Sequence, residues 1–542
     1  MAKGYLLFVL HAHLPYVRHP EYERFLEERW FFEAATETYI PLIKFFDRLH
    51  SDGVPFKLTL SISPTLANML EDPLLQQRCL QHIEMSSRLA EQEMERTRHS
   101  PELHFLACMY KRLFEEARQV LAERCRMNLL NAFKEHAAAG RLELITCGAT
   151  HGFLPALSSE PGAVRVQVFA AAHEHRRIFG LKPKGFWLPE CGYYTGVDEV
   201  LAGAGLRYFV VDSHGVEHAE PRPMFGVHAP IYCASGVAAF ARCQATSRLV
   251  WSSKVGYPAD PNYREYYRDI GFDLDQHYLK DFQYAQGVRS HTGIKYHCIT
   301  GPSDHKRLYN PDAGCQTAQR HAHDFVMRCR DQLGRMAGRM PFPGIIVSPY
   351  DAELFGHWWF EGPQWLYYVL REVAESGGDM ALSTPGQYLE AYPVQQQAAP
   401  APSSWGRNGY GEQWLNPKTA WLWRRLHEAA ARMTRACRTS SPACPGKLES
   451  LPHNSLEERA LRQAGRELLL AQSSDWPFMI TDGTTEQYAS RRFNDHLNRF
   501  HHLLNSVDAR QVDPAALEAL EHMDALLPEL DTAYFASEGA IA

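Results

Sequence analysis

The sequence predicts an α/β protein, a closed or nearly closed TIM-like (β/α) barrel with a helical insertion and an α-helical C-terminal domain. Three observations carry this reading. Short apolar runs of β-branched and aromatic character alternate with helical segments, the pattern of βα units and a parallel sheet. A polar or acidic residue of catalytic type follows several of these runs directly: His11 and His13, His151, Glu190, Asp212 and Asp351. In a βα barrel the carboxyl ends of the strands share one face, and active sites lie there. Beyond a stretch rich in Pro, Ala and Gln at 393–404, the apolar periodicity becomes purely helical.

Taken in order, the expected strands are Tyr5–Leu10, Lys57–Ser63, Leu142–Ala149, Gly185–Pro189, Arg207–Asp212, Lys295–Thr300 and Gly344–Pro349. The first is too short for a signal peptide and runs straight into His11 and His13, so it reads as a buried strand. Residues 74–136 carry helical spacing over a length that no simple crossover needs, and are expected as a helical insertion. Residues 233–275 are expected as a long aromatic loop, suited to a mobile lid through Trp251 and Tyr257. The domain reading is therefore a catalytic barrel over 1–392, a linker over 393–404 and a helical domain over 405–542. In that last domain, helices at Thr419–Thr434, Leu456–Gln472 and Ser490–Leu504 are interrupted by a loop at 438–454.

Composition narrows the function. The chain has 542 residues and a net charge of −7, with no run of five or more Lys and Arg, which argues against a nucleic-acid partner. No apolar run is long enough for a membrane span. The 12 cysteines are scattered without a Cys-x-x-Cys pair, as expected of a reduced, cytoplasmic protein.

The chemistry concentrates at Gly185-Phe-Trp-Leu-Pro-Glu190. Pro189 cannot continue a central ladder, so Glu190 projects from the carboxyl end of its strand, beside the flat faces of Trp187, Tyr193 and Tyr194. Asp351 likewise follows a strand that ends near a proline. Two strand-end carboxylates suit glycoside cleavage, one attacking or activating water and the other donating a proton to the leaving oxygen. Glu353 and Glu361 compete with Asp351 for the second role, and spacing alone leaves the choice open. His11 and His13 lie on one face of the first strand, either as partners of sugar hydroxyls or as the first ligands of a metal-dependent amidohydrolase or deacetylase.

Five ordered motifs then point to a family. His11-Ala-His-Leu-Pro-Tyr16, Gly148-Ala-Thr-His-Gly152, Gly185 to Glu190, Ser348-Pro-Tyr-Asp-Ala-Glu-Leu-Phe-Gly-His357 and Ser474-Asp-Trp-Pro-Phe478 resemble the regions of glycoside hydrolase family 57, and most closely those of its 1,4-α-glucan branching enzymes. The resemblance implies a distorted (β/α)7 barrel and a retaining mechanism on α-1,4-glucan, with Glu190 as nucleophile and Asp351 as acid/base. It also implies His11, His13 and His151 in the donor subsite, and neither metal nor cofactor. Trp187, Trp251, Tyr257, Phe272, His357, Trp405, Trp414, Asp475 and Trp476 complete the expected substrate-binding set. Trp405 and Trp414, with the rings of the 233–275 loop, are expected to hold an acceptor chain against competing water. The alternatives within the resemblance are a 4-α-glucanotransferase and an α-amylase. The family's branching enzymes carry a mobile loop with a tyrosine near its tip, and in Tyr232-Cys-Ala-Ser-Gly-Val-Ala-Ala-Phe240 no tyrosine follows Tyr232, which would shift the balance toward hydrolysis.

Overall fold

The computed structural model describes residues 3–252, 254–285, 287–440 and 455–536. Its strands are β1 (Gly4–Ala12), β2 (Leu58–Ile62), β3 (Leu142–Cys147), β4 (Gly185–Trp187), β5 (Tyr208–Val211), β6 (Ile231–Tyr232), β7 (Ala238–Ala241), β8 (Gly344–Asp351) and β9 (Met380–Leu382). They belong to two compact units that interleave along the chain. One comprises Met1–Leu60, Met69–Glu143 and Cys243–Thr384, the other Ser61–Asn68, Leu144–Arg242 and Pro385–Ala542.

In the first unit β1 pairs in parallel with β8, from Gly4 opposite Gly344 to His11 opposite Asp351, and its opening residues also pair with β9. Leu6 to Leu10 are wholly buried, which is why the run is continuously apolar: a strand covered on both faces has no polar side to show. The segment expected as an insertion forms helices Pro73–Thr97, Pro101–Gln119 and Leu130–Ala138. The first starts where Asp72 accepts a hydrogen bond from the Leu75 N–H at 2.9 Å and Pro73 supplies a preset φ. Its buried stripe, including Leu75, Cys79, Ile83, Leu89 and Ala90, recurs at helical spacing.

In the second unit β3, β4, β5 and β7 form a parallel series, and β6 folds back antiparallel on β7. Gly185 stands opposite Tyr208 in this ladder, and a Cβ there would come within 2.3 Å of the tyrosine ring, so the position takes only glycine. Helices Ala420–Ser440, Leu456–Ala471, Asp475–Asp482, Glu486–Asp508 and Pro514–Met523 follow. Ser455 caps the second of these by accepting from the Glu458 N–H.

Three expectations are corrected. Lys295–Thr300 is not a strand: it makes only isolated bridges, Arg264 to Cys298 and His297 to Leu308, and the Lys295 ammonium is drawn 3.0 Å from Asp269. Three strands are hidden in the sequence: β6, β9 and, inside the expected 233–275 loop, β7. Its Ala-rich run has weak intrinsic β propensity, and burial on both faces decides its conformation. That loop also holds the helix Gln244–Trp251. Residues 393–404 are no free linker either, since they bridge Tyr232 through Gln397, Glu220 through Ala399 and Tyr193 through Ser403. The loop expected at 438–454 lies, from residue 441 on, outside the described residues. Among the described residues no helix is long and apolar enough to cross a membrane.

Candidate active site

Glu190 sits one turn past β4. Pro189, without an N–H, ends the ladder and opens a tight turn over Pro189–Cys191, in which Glu190 adopts φ 61°, ψ 23° and Cys191 φ 51°. His151 is also left-handed, at φ 58°. Non-glycine residues held there cost about 1–3 kcal/mol each and persist only where their surroundings overdetermine them. Gly192 closes the turn where there is no room for a side chain, since a Cβ on it would lie 2.8 Å from the Phe153 ring.

The surroundings come from far along the sequence. Trp405 donates its indole N–H to Glu190 Oε2 at 2.7 Å, and Ser474 Oγ donates to Oε1 at 2.8 Å. Ser474 Oγ lies 2.8 Å from His151 Nδ1, which itself stands 3.6 Å from Glu190 Oε1. With the serine proton directed at Glu190, its oxygen accepts from the imidazole, so a relay runs from His151 through Ser474 to Glu190. The Ser474 N–H to His151 C=O bond, at 3.0 Å, and the Gly152–Ser473 bridge fix its backbone. Both oxygens of Glu190 are therefore held by donors, which fixes the orientation of the carboxylate.

The tryptophans expected to face substrate divide on burial. Trp187 and Trp476 are fully buried and Trp414 is 1% exposed, so none offers a ring face to a sugar. Trp187 instead packs edge-on to Trp405 at 5.1 Å, Trp414 stacks on Phe153 at 5.0 Å, and Trp476 donates to the Leu470 carbonyl at 2.7 Å. Asp475 accepts from the Ser473 hydroxyl. Ser474, inside a recognised motif, is the residue that sequence reasoning missed; its neighbours Asp475 and Trp476 drew attention by charge and ring.

In the first unit the register that sets His11 opposite Asp351 puts both side chains on one side of the sheet. The His11 and His13 rings stack at 5.7 Å. Burial, and then the neighbouring His13, hold His11 well below the usual histidine range, so it is a neutral imidazole. Glu353 accepts from the Tyr39 hydroxyl and from the His13 N–H at 3.3 Å, and desolvation pushes its carboxyl up. It is committed to holding its neighbours. Glu361 is almost completely buried and accepts from the Arg264 N–H at 3.1 Å.

His357 lies between Glu37, 2.6 Å from Nδ1, and the Tyr266 hydroxyl, 3.1 Å from Nε2. Burial pulls its pKa down, but the bond and charge of Glu37 outweigh that and the net shift is upward. Glu37 and Tyr39 share a π-helical turn, Ala35–Tyr39, with no sequence signature of its own. Trp251 tilts toward Tyr350 at 6.4 Å. Tyr257 is 7% exposed, stacks on His321 and donates to Asp324 at 2.7 Å, which makes it a packing residue rather than a lid ring. Phe272, 46% exposed, meets His291 edge-on.

The comparisons with known proteins agree with the motifs. Residues 7–312 match the model of glycosyl hydrolase family 57, and residues 425–535 match that of the 1,4-alpha-glucan branching enzyme C-terminal region. A 1,4-alpha-glucan branching enzyme of Thermococcus kodakarensis is 32% identical over 96% of this chain and 77% of its own. Among solved structures, the alpha-amylase AmyC from Thermotoga maritima superposes with a TM-score of 0.90 at 42% identity, covering 99% of both chains. The family-57-type branching enzyme from Pyrococcus horikoshii superposes with a TM-score of 0.86 at 30% identity, covering 100% of this chain and 98% of its own.

Proposed function

Because the chain belongs to glycosyl hydrolase family 57, we propose that it works as a retaining 1,4-α-glucan branching enzyme, with Glu190 as nucleophile and Asp351 as acid/base. Membership sets the fold class, a distorted (β/α) barrel with a helical C-terminal region. The observation that carries the proposal is Glu190 itself, a carboxylate on a strained turn whose two oxygens are held by Trp405 and Ser474. The match of residues 425–535 to a branching-enzyme region supports the transferase reading over others.

In the first half-reaction a Glu190 oxygen attacks C1 of a glucosyl unit and the C1–O4 bond breaks. Asp351, as the acid, gives its proton to O4 of the departing chain. In the second half, the Asp351 carboxylate takes the proton of an acceptor 6-hydroxyl, O6 attacks C1, and the bond to Glu190 breaks, leaving an α-1,6 branch. His11, neutral, meets sugar hydroxyls by hydrogen bonding without adding charge. Such an activity belongs to glycogen biosynthesis in the cytoplasm, and buried thiols such as Cys79, whose ionisation burial pushes up to about 12, fit a reducing compartment.

Proton NMR of amylose after incubation tests the proposal. New α-1,6 anomeric signals, absent with Glu190→Gln, are expected; new reducing ends alone would support the second reading. That reading is hydrolysis, favoured by the 42% identity to a protein described as an alpha-amylase.

A further inference from the structure

Of the tryptophans expected to face a sugar in the second unit, Trp187, Trp414 and Trp476 are buried, and Trp405 is bonded to Glu190. Phe478, on the helix Asp475–Asp482, is by contrast 45% exposed. Single exposed apolar residues are ordinary, and by themselves they call for no ligand. What distinguishes Phe478 is its place.

Ser474, which donates to Glu190 Oε1 at 2.8 Å, has helical φ −66° and ψ −17°, and its C=O accepts from the Phe478 N–H at 3.2 Å. The two residues therefore stand one turn apart on one helix face, with Cβ atoms about 5–6 Å from each other. Side chains on a helix lean toward its N-terminus, so the Phe478 ring covers the turn that begins at Ser474, at the end of the helix that touches Glu190. The ring is also backed. It lies 6.4 Å from Trp414 at 36°, and Trp414 is fixed in turn by stacking on Phe153 at 5.0 Å. Thr481, the next residue on the same helix face, accepts from Asn416 Nδ2 at 2.8 Å, which ties the helix to the chain just past Trp414. A ring packed on one side and open on the other is a preformed platform, and binding to it does not have to order a mobile side chain.

We propose that Phe478 is a substrate-binding residue of the proposed reaction, stacking its open face on a sugar of the α-1,4-glucan that neighbours the one whose bond is cut. The inference rests on the branching-enzyme reading and adds a residue to it. A pyranose carries C–H groups on its faces and hydroxyls around its rim, so a flat apolar ring meets the face while the rim stays hydrated. The contact is the same before and during bond breaking. It is uniform binding, which lowers KM and leaves kcat nearly untouched.

Initial rates of the full chain on short-chain amylose, read both as new α-1,6 signals and as released reducing ends, test this. Phe478→Leu keeps an apolar side chain against Trp414 but removes the flat face, and Phe478→Tyr keeps the face. Phe478→Leu should raise KM at least about tenfold, with kcat within about threefold of the parent and the melting temperature nearly unchanged. Phe478→Tyr should bring KM back to within about threefold of the parent. Should Phe478→Leu fail to fold, Phe478→Met takes its place. Calorimetric titration of the same amylose into Glu190→Gln, alone and combined with Phe478→Leu, should show the same loss of affinity without turnover. Unchanged KM and affinity in a folded Phe478→Leu overturn this inference alone and leave the branching-enzyme reading in place. So does a fall in kcat at constant KM, or a loss that Phe478→Tyr does not recover, since either marks Phe478 as packing behind Ser474. A parent chain that neither binds nor turns over amylose overturns the branching-enzyme reading, and this inference with it.

Discussion

Trp405 grips Glu190 twice: its backbone N–H donates to the Glu190 carbonyl at 2.9 Å and its indole N–H to the Glu190 carboxylate at 2.7 Å. In the proposed mechanism, a ring that orients the nucleophile acts on bond cleavage itself, whichever acceptor follows. Trp405→Phe keeps the packing on Trp187 and loses the indole bond. A hydrogen bond to a charged group is worth about 1.5–3 kcal/mol, so kcat should fall roughly 10- to 100-fold, with branching and hydrolysis reduced together. A changed ratio of the two at undiminished cleavage would return Trp405 to acceptor binding.

The relay through Ser474 makes a second, separable prediction. Ser474→Ala and His151→Gln should each lower kcat by about tenfold with melting temperature nearly unchanged. The two act through one chain of contacts, so the double variant should lose little more than the worse single variant. Additive losses in the double-mutant cycle would show that His151 serves substrate directly.

Asp351 and Glu353 are separated by substitution. Asp351→Asn removes the proton donor of the proposed mechanism and should lower turnover by at least about 10³-fold without unfolding. Glu353→Gln keeps an acceptor for Tyr39 and for the His13 N–H, and activity should stay within about tenfold of the parent. The reverse order, measured on soluble oligosaccharide with melting curves alongside, would exchange their roles.

Acid should destabilise the chain through buried neutral histidines. Burial pushes His82 down to about 4 and His175 down to about 3, while an unfolded histidine titrates near 6.5. The folded values lie below the unfolded one, so this stability is complete above about pH 6.5 and is lost as pH falls toward the folded values. At pH 5 each histidine should cost roughly 2 kcal/mol relative to pH 7. His175 Nδ1 has no hydrogen-bond partner among the described residues. His175→Leu should therefore leave the melting temperature at pH 7 little changed and shrink its drop between pH 7 and pH 5. An unchanged drop would locate the acid lability elsewhere.

Local signals carried β1, β4 and β8 because each is built on a short apolar run, and the carboxylates Glu190 and Asp351 are visible where those of β4 and β8 give way, although β8 itself runs on through Pro349 to Asp351. β7 was not legible, because four small apolar residues become a strand only through their neighbours. The partners of Glu190 were hidden for the same reason, since Trp405 and Ser474 lie 215 and 284 positions away and no periodicity spans such a gap. Exposure was equally unreadable: a tryptophan near a motif looks alike in sequence whether its ring lines a cleft or, as with Trp414, fills a core.

The distance along the chain between Glu190 and Ser474 also sets a clock on the ribosome. At roughly 5–20 residues per second, the 284 positions take about 15–60 s to synthesise after the carboxylate itself has emerged. For the first 215 of those positions the growing polypeptide carries a carboxylate that neither Trp405 nor Ser474 has yet aimed. If Glu190 is the nucleophile of the proposed mechanism, a chain stopped at residue 400, lacking both Trp405 and Ser474, should prove inert on amylose.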